Sequence, residues 1–141
     1  MRYWKPRVVP GEPLIGIGVA THFGSAHDRR AQALRCLVSS FRAQTYQNWR
    51  MLIVHDGPYP HDHGMMTFVD EQIVGLPGDG RVSIVETKER LQKFGHPHRQ
   101  FAIDSIHGWG AKWLMLTNDD NYYAPVFLEW LLHEAVTAKA P

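Results

Sequence analysis

The chain has 141 residues, 44% of them hydrophobic and 21% charged, which is the range of one globular domain able to bury a core. A formal net charge of +1 excludes a protein that works mainly by coating itself on nucleic acid or anionic lipid. The longest apolar runs fall well short of the ~20 residues a spanning helix needs, and the start Met1-Arg2-Tyr3-Trp4-Lys5-Pro6 lacks the apolar stretch of a secretory signal. Both features lead us to expect a cytoplasmic protein with no transmembrane segment.

Residues 1–13 hold three prolines and no sustained pattern, which predicts a lead-in arm ahead of a domain over 14–141. Leu14 to Ala20 is apolar on both faces, as in a strand buried between helix layers, and Gly16 and Gly18 let another backbone come close. Leu34, Leu37, Val38 and Phe41 then repeat at the spacing of an amphipathic helix, with Ser25 and Asp28 as start signals and an end near Gln44. The single Cys36 falls within that helix, where a buried, inert thiol is expected. Met51 to Val54 reads as a second strand, stopped by the turn His55-Asp56-Gly57-Pro58. Met65, Phe68, Val69 and Ile73 predict a helix closed by Gly75, Pro77, Gly78 and Gly80, and Val82 to Val85 a third strand. Beyond a polar loop from Glu86 to His98, the positions Phe101, Ala102, Ser105, Ile106 and Trp109 line one helical face, ended by Gly108 and Gly110. Trp113 to Leu116 is the fourth strand, and Pro125 suits the first turn of a last helix facing inward through Phe127, Leu128, Leu131, Leu132 and Ala135.

Strands alternating with helices in this way demand an α/β fold: a Rossmann-like, mostly parallel four-stranded sheet with helices on both faces. In such sheets a ligand lies beyond the carboxyl ends of the strands. Thr21-His22-Phe23 follows the first strand, His55-Asp56-Gly57 the second, Glu86 to Arg90 the third and Asn118 to Asn121 the fourth, so acidic, basic and polar groups converge on one edge. A nucleotide diphosphate-sugar needs this mixture: an acceptor for base N–H groups, a hard cation for the diphosphate, and basic side chains for the remaining charge. Carboxylate oxygens are suitable ligands for Mg²⁺ or Mn²⁺.

Taken alone, Asn118-Asp119-Asp120-Asn121 reads as a strand-ending turn, since Asn and Asp bond their own backbone. Two adjacent carboxylates repel, however, and a cation beside Asp119 and Asp120 removes the conflict. Asp56 before Gly57 is also a turn signal, and its functional role is to accept the N–H of a pyrimidine imide. Lys88, Arg90, Lys93 and Arg99 are either a solvated loop or a diphosphate clamp, depending on which way they face.

These residues together resemble the GT-A glycosyltransferases, specifically the family 2 group that includes the bacterial spore-coat polysaccharide enzymes. Ala20-Thr21-His22-Phe23 stands where the family has Pro-Thr-Tyr-Asn, and Gln44-Thr45-Tyr46 matches its frequent Gln-Thr-Tyr. Ile53-Val54-His55-Asp56-Gly57 resembles Val-Val-Asp-Asp-Gly with His55 in place of the first acid. The most specific piece is Asp119-Asp120-Asn121 through Pro125, similar to the family's Asp-x-Asp motif with its following proline. The resemblance implies a metal-dependent, inverting transfer of sugar from a nucleotide-diphosphate-sugar, a UDP-sugar, to a saccharide or other hydroxyl acceptor in polysaccharide biosynthesis. It implies that Asp120 ligates Mn²⁺ or Mg²⁺ and that Asp119 contacts ribose or diphosphate. Asp56 then reads the base, His22 takes the place of the aromatic that stacks on it, Thr21 joins the donor site, and Arg90 and Arg99 approach the phosphates.

The family continues into an acceptor-binding half that carries the catalytic base, so the general base is expected beyond residue 141. A non-catalytic nucleotide-binding or interaction module of the same fold is therefore the alternative. Nucleotidyl transfer fits less well, because Thr21 to Asp28 is a poor match for a Gly-rich phosphate loop. The 9 histidines, with His61-Asp62-His63 and His96-Pro97-His98 among them, leave a zinc hydrolase as a further rival without a recognised ligand spacing. No nucleic-acid partner is expected, and the composition leaves room for a homo-oligomer.

Overall fold

The computed structural model describes residues 12–75, 80–93 and 95–138. Residues 1–11 of the expected arm, and Pro77 and Gly78 of the expected helix stop, lie outside the described residues. In chain order the elements are β1 (Ile15–Thr21), α1 (Arg29–Arg42), β2 (Trp49–His55), α2 (His63–Phe68) running on into a π-helical turn (Val69–Val74), β3 (Val82–Glu86), α3 (His96–Gly108), β4 (Trp113–Asn118) and α4 (Phe127–Thr137).

The sheet is four-stranded in the order β3-β2-β1-β4, and every pairing is parallel. The chain steps outward from β1 to β2 to β3, then crosses back to lay β4 on the other side of β1. The direction of winding thus reverses between β1 and β4, and at such a switch point the connections diverge and open a crevice at the strands' carboxyl ends. Register puts Thr21 opposite His55, Ala20 opposite Asn118 and His55 opposite Glu86, so the polar strand ends are level with one another.

β1 and β2 are apolar on both faces because both faces are covered. Ile15, Ile17 and Val19 of β1 and Met51 and Ile53 of β2 pack with Leu34, Leu37, Val38 and Phe41 of α1 and Leu128 of α4. On the opposite face Leu52 and Val54 meet Ala102 and Ile106 of α3, with Trp109 packed against them. Each large apolar side chain so buried stabilises the fold by about 1.5–3 kcal/mol. Gly16 and Gly18 are what let α3 sit so close, since a Cβ on Gly16 would lie 2.0 Å from Ile106 Cγ2 and one on Gly18 3.0 Å from Ala102 Cβ.

Asp28 caps α1 by accepting from Arg30 N at 2.7 Å. At the other end, Gln44 ties α1 to α4: Nε2 donates to Ala124 O at 2.7 Å, and Oε1 accepts from Leu128 N at 3.0 Å. Thr45 Oγ1 donates to Glu129 Oε2 at 2.9 Å, and the Tyr46 hydroxyl donates to Pro13 O. The Gln-Thr-Tyr stretch is therefore structural, holding the last helix and the approach to β1.

Three expectations are corrected. Cys36 is exposed, because position 36 falls off the stripe formed by 34, 37, 38 and 41. α3 starts at His96, inside the expected loop, and its buried stripe is His98, Ala102 and Ile106, which leaves Phe101 51% exposed. Pro125 precedes α4, and its carbonyl accepts from Thr45 N at 2.8 Å.

Candidate functional site

A cleft of about 660 Å³ opens at the carboxyl ends of β1, β2 and β4, within the usual size of small-molecule sites. Thr21 and His22 reach it from β1, Asp56 from β2, and Asp119 and Asp120 from β4. Arg90 enters from the loop after β3 and Arg99 from the first turn of α3. The positions singled out in the sequence thus line one cavity, although they come from five places along the chain. Lys88 and Lys93 are exposed and do not line it.

The two carboxylates of the β4 tip are in different environments. Asp119 is 5% exposed; its Oδ2 accepts from Thr21 Oγ1 at 2.8 Å and lies 3.5 Å from Arg30 Nε. Asp120 is exposed at the cleft. Part of the repulsion between them is thus relieved by the protein itself, through a hydroxyl and a guanidinium on Asp119, while Asp120 stays open to a ligand. The turn beneath is held by Asn121 Nδ2, which donates to Thr117 Oγ1 at 3.1 Å, and Arg99 Nη2 donates to Asn118 Oδ1 at 3.2 Å.

Asp56 is held from the loop after β3. Oδ1 accepts from Leu91 N at 2.7 Å, Oδ2 accepts from Gln92 N at 3.1 Å, and Arg90 Nε stands 4.0 Å from Oδ2. Burial pushes the carboxyl up, but those two N–H groups, with the positive potential of His98 and His22, outweigh it and hold the group below its ordinary 3.8. His22 Nδ1 donates to the Asp56 carbonyl at 2.9 Å, which joins the β1 and β2 ends.

His55 is fully buried. Its Nδ1 donates to Gly57 O at 2.5 Å, and its Nε2 lies 3.0 Å from Phe23 N and 3.2 Å from Phe23 O; accepting from Phe23 N is the role of a neutral ring protonated on Nδ1. Burial, the largest influence, lowers its pKa below the ordinary 6.5. Packed edge-on against Phe23 and Tyr59, it braces the β1 and β2 loops rather than facing the cleft.

Sequence reasoning missed three lining residues, Arg30, Gln92 and Gly95, and took up a fourth, His98, only as part of a histidine pair for zinc. Arg30 sits at the start of α1, and only the fold brings it to Asp119. Gly95 precedes α3 in the left-handed region, φ 76°, where glycine costs little, and it could have marked the helix start. The histidine pairs do not form a metal centre as pairs. His61 stacks on Tyr59 and lies 2.8 Å from Glu86, while His98 faces Asp56. Among the described residues no group of three or more His, Cys, Asp or Glu side chains gathers as a ligand set. Nor, among them, is any helix long and apolar enough to cross a membrane.

The sheet and its switch-point cleft define an α/β, Rossmann-like protein. The chain is similar to the crystal structure of S. aureus TarS, with a TM-score of 0.62 and 10% identity, covering 89% of this chain and 20% of that one. Against the structure of S. aureus TarS 1-349 the TM-score is 0.60 at 11% identity, covering 87% of this chain and 32% of that one. The chain thus spans about a fifth and a third of the lengths of these neighbours, and what it shares with them is the fold. No protein-family model and no curated protein matches the sequence.

Proposed function

We propose that the cleft binds a nucleotide-diphosphate-sugar, a uridine one, and that the chain is the donor-binding part of a metal-dependent glycosyltransferase acting on an acceptor hydroxyl. One observation carries the reading: the Asp56 carboxylate and an acidic tip, Asp119-Asp120, line the same cavity from opposite sides of β1, with Arg90 beside Asp56 and Arg99 beside Asn118 in the same lining. A ligand spanning that cavity meets an acceptor for ring N–H at one end and oxygen and guanidinium groups suited to a diphosphate at the other.

The donor set fits Mn²⁺ or Mg²⁺. Such ions are commonly held by one or two carboxylates, with water and substrate phosphates completing the shell, and an exposed Asp120 beside a fixed Asp119 offers that and no more. When bound, the ion offsets the negative charge that grows on the departing diphosphate. The chain's own part is positional. Asp119, anchored through Thr21, is placed for ribose or diphosphate; Arg90 and Arg99 steady the phosphates; His22 stands beside the base. The transfer is inverting, and we assign its general base to none of the residues of this cleft.

The test is a thermal-shift panel of UDP, dTDP, GDP, CDP and ADP with and without Mn²⁺, since a ligand selective for the folded state raises its midpoint by mass action. UDP with Mn²⁺ is expected to give the largest rise. A panel in which no nucleotide shifts the midpoint, or in which Mn²⁺ makes no difference, overturns the reading. Binding of UDP with no transfer or hydrolysis of UDP-sugars favours a binding module instead.

A further inference from the structure

The buried stripe of α3 runs His98, Ala102, Ile106 at four-residue spacing. Ala102 and Ile106 close over the glycines of β1, where apolar packing is all that is asked. One turn nearer the cleft the same stripe ends in an imidazole that is 2% exposed. Buried polar atoms almost always find partners, and an exception calls for an explanation. Neither ring nitrogen of His98 has a well-formed hydrogen bond, yet Nε2 stands 3.2 Å from Asp56 Oδ1, close enough for a charge contact though off the line of a good bond.

We infer that His98 is a positioning residue for Asp56: it fastens the carboxylate to a helix packed on the sheet, so that Asp56 keeps one orientation toward a nucleoside base in the cleft. The inference rests on the reading of Asp56 as the base-reading group. The other ties on that carboxylate, Leu91 N and Gln92 N, come from an exposed loop, in which Gln92 itself adopts φ 53°, a conformation that L side chains rarely take. Arg90 contacts it only at 4.0 Å and is 51% exposed. Of the described groups around Asp56, His98 alone combines burial with a place in a packed helix, and a binding group is held accurately when its support is rigid. His98 acts on the ligand through Asp56, because its own ring nitrogens are closed to the cleft.

The experiment takes whichever of UDP, dTDP, GDP, CDP and ADP binds the wild type most tightly with Mn²⁺ and measures its affinity by calorimetry for wild type, His98→Leu and His98→Gln. Inorganic pyrophosphate with Mn²⁺ is the control ligand, since it lacks the base. His98→Leu is expected to weaken the nucleotide at least ~10-fold and pyrophosphate less than ~2-fold, and His98→Gln, which keeps an N–H donor, to recover most of the loss. Unchanged nucleotide affinity in His98→Leu overturns the inference and leaves the proposed function standing. Equal loss for both ligands overturns it too, since a general packing defect acts on both. Absence of any nucleotide binding by the wild type overturns both together. Should His98→Leu not fold, the His98 ring signals of the wild type are followed by NMR: they are expected to move on titration with the nucleotide and not with pyrophosphate, and their standing still overturns the inference.

Discussion

The hydroxyl of Thr21 donates to Oδ2 of Asp119 at 2.8 Å, joining the carboxyl ends of β1 and β4 across 98 residues of chain. The contact exists because β4 crosses back to lie beside β1, and it lies at the point where the sheet opens. It makes a fixed wall of the cleft out of two strand ends.

Thr21→Val keeps the shape and removes the donor, leaving a buried carboxylate with Arg30 as its remaining partner. A hydrogen bond to a charged group contributes about 1.5–3 kcal/mol, so thermal denaturation is expected to show a midpoint lower by ~5 °C. An unchanged midpoint would mean that the bond contributes nothing to the fold.

Asp120→Ala alters an exposed residue that makes no bond of this kind among the described residues, so its midpoint without ligand is expected to stay within ~2 °C of wild type. The Mn²⁺-dependent rise given by UDP is expected to vanish. Calorimetry of both proteins with UDP and Mn²⁺ checks this, and wild-type affinity in the variant removes the metal role from Asp120.

The neutral His55 makes stability depend on pH. Its folded pKa lies below the ordinary 6.5, so the unfolded chain binds the proton more readily, and stability rises with pH across that interval. The contribution is complete above about pH 6.5 and is lost as pH falls below it. Asp56, also lowered from its ordinary 3.8, adds a second loss at more acid pH. Urea midpoints at about pH 7.5 and about pH 5.5 are expected to differ more in wild type than in His55→Gln, which lacks the titrating ring. Equal differences would show that His55 does not contribute.

Gly16→Ala puts a methyl 2.0 Å from Ile106 Cγ2, and Ile106, with the turn of α3 that carries it, must shift to admit it. Overpacking of this kind costs about 1–3 kcal/mol or more, measurable by urea unfolding. Because α3 also carries His98 and Arg99, the variant is expected to lose nucleotide affinity as well as stability. Gly80→Ala is the contrasting case: none of the described residues beyond its chain neighbours lies within 4 Å of the methyl there, and the backbone at φ 73° sets a cost of its own.

The elements were legible where their signals are local. The apolar runs of β1 and β2 and the 34, 37, 38, 41 spacing of α1 record burial on a strand or a helix stripe, and the runs of β3 and β4 marked strands although Val85, Leu114 and Leu116 are exposed. α3 was misread at its start because His96-Pro97-His98-Arg99 is polar and has no capping side chain; a left-handed Gly95 begins the helix instead. His55 looked like a lost acid. What it does depends on Phe23 N and Gly57 O, which only the folded loops bring to it.

By itself the sequence determined the alternation of strands and helices, hence a parallel sheet, and placed the polar groups at the strands' carboxyl ends, because hydrophobic period and turn chemistry act over a few residues. The tertiary structure alone decided that β4 lies against β1 instead of β3, that Arg30 and Thr21 hold Asp119 while Asp120 stays open, and that His98 lies beside Asp56. Those are choices of partner between groups far apart in the chain. They are set by which helix faces can close over which strands, and no local pattern contains that.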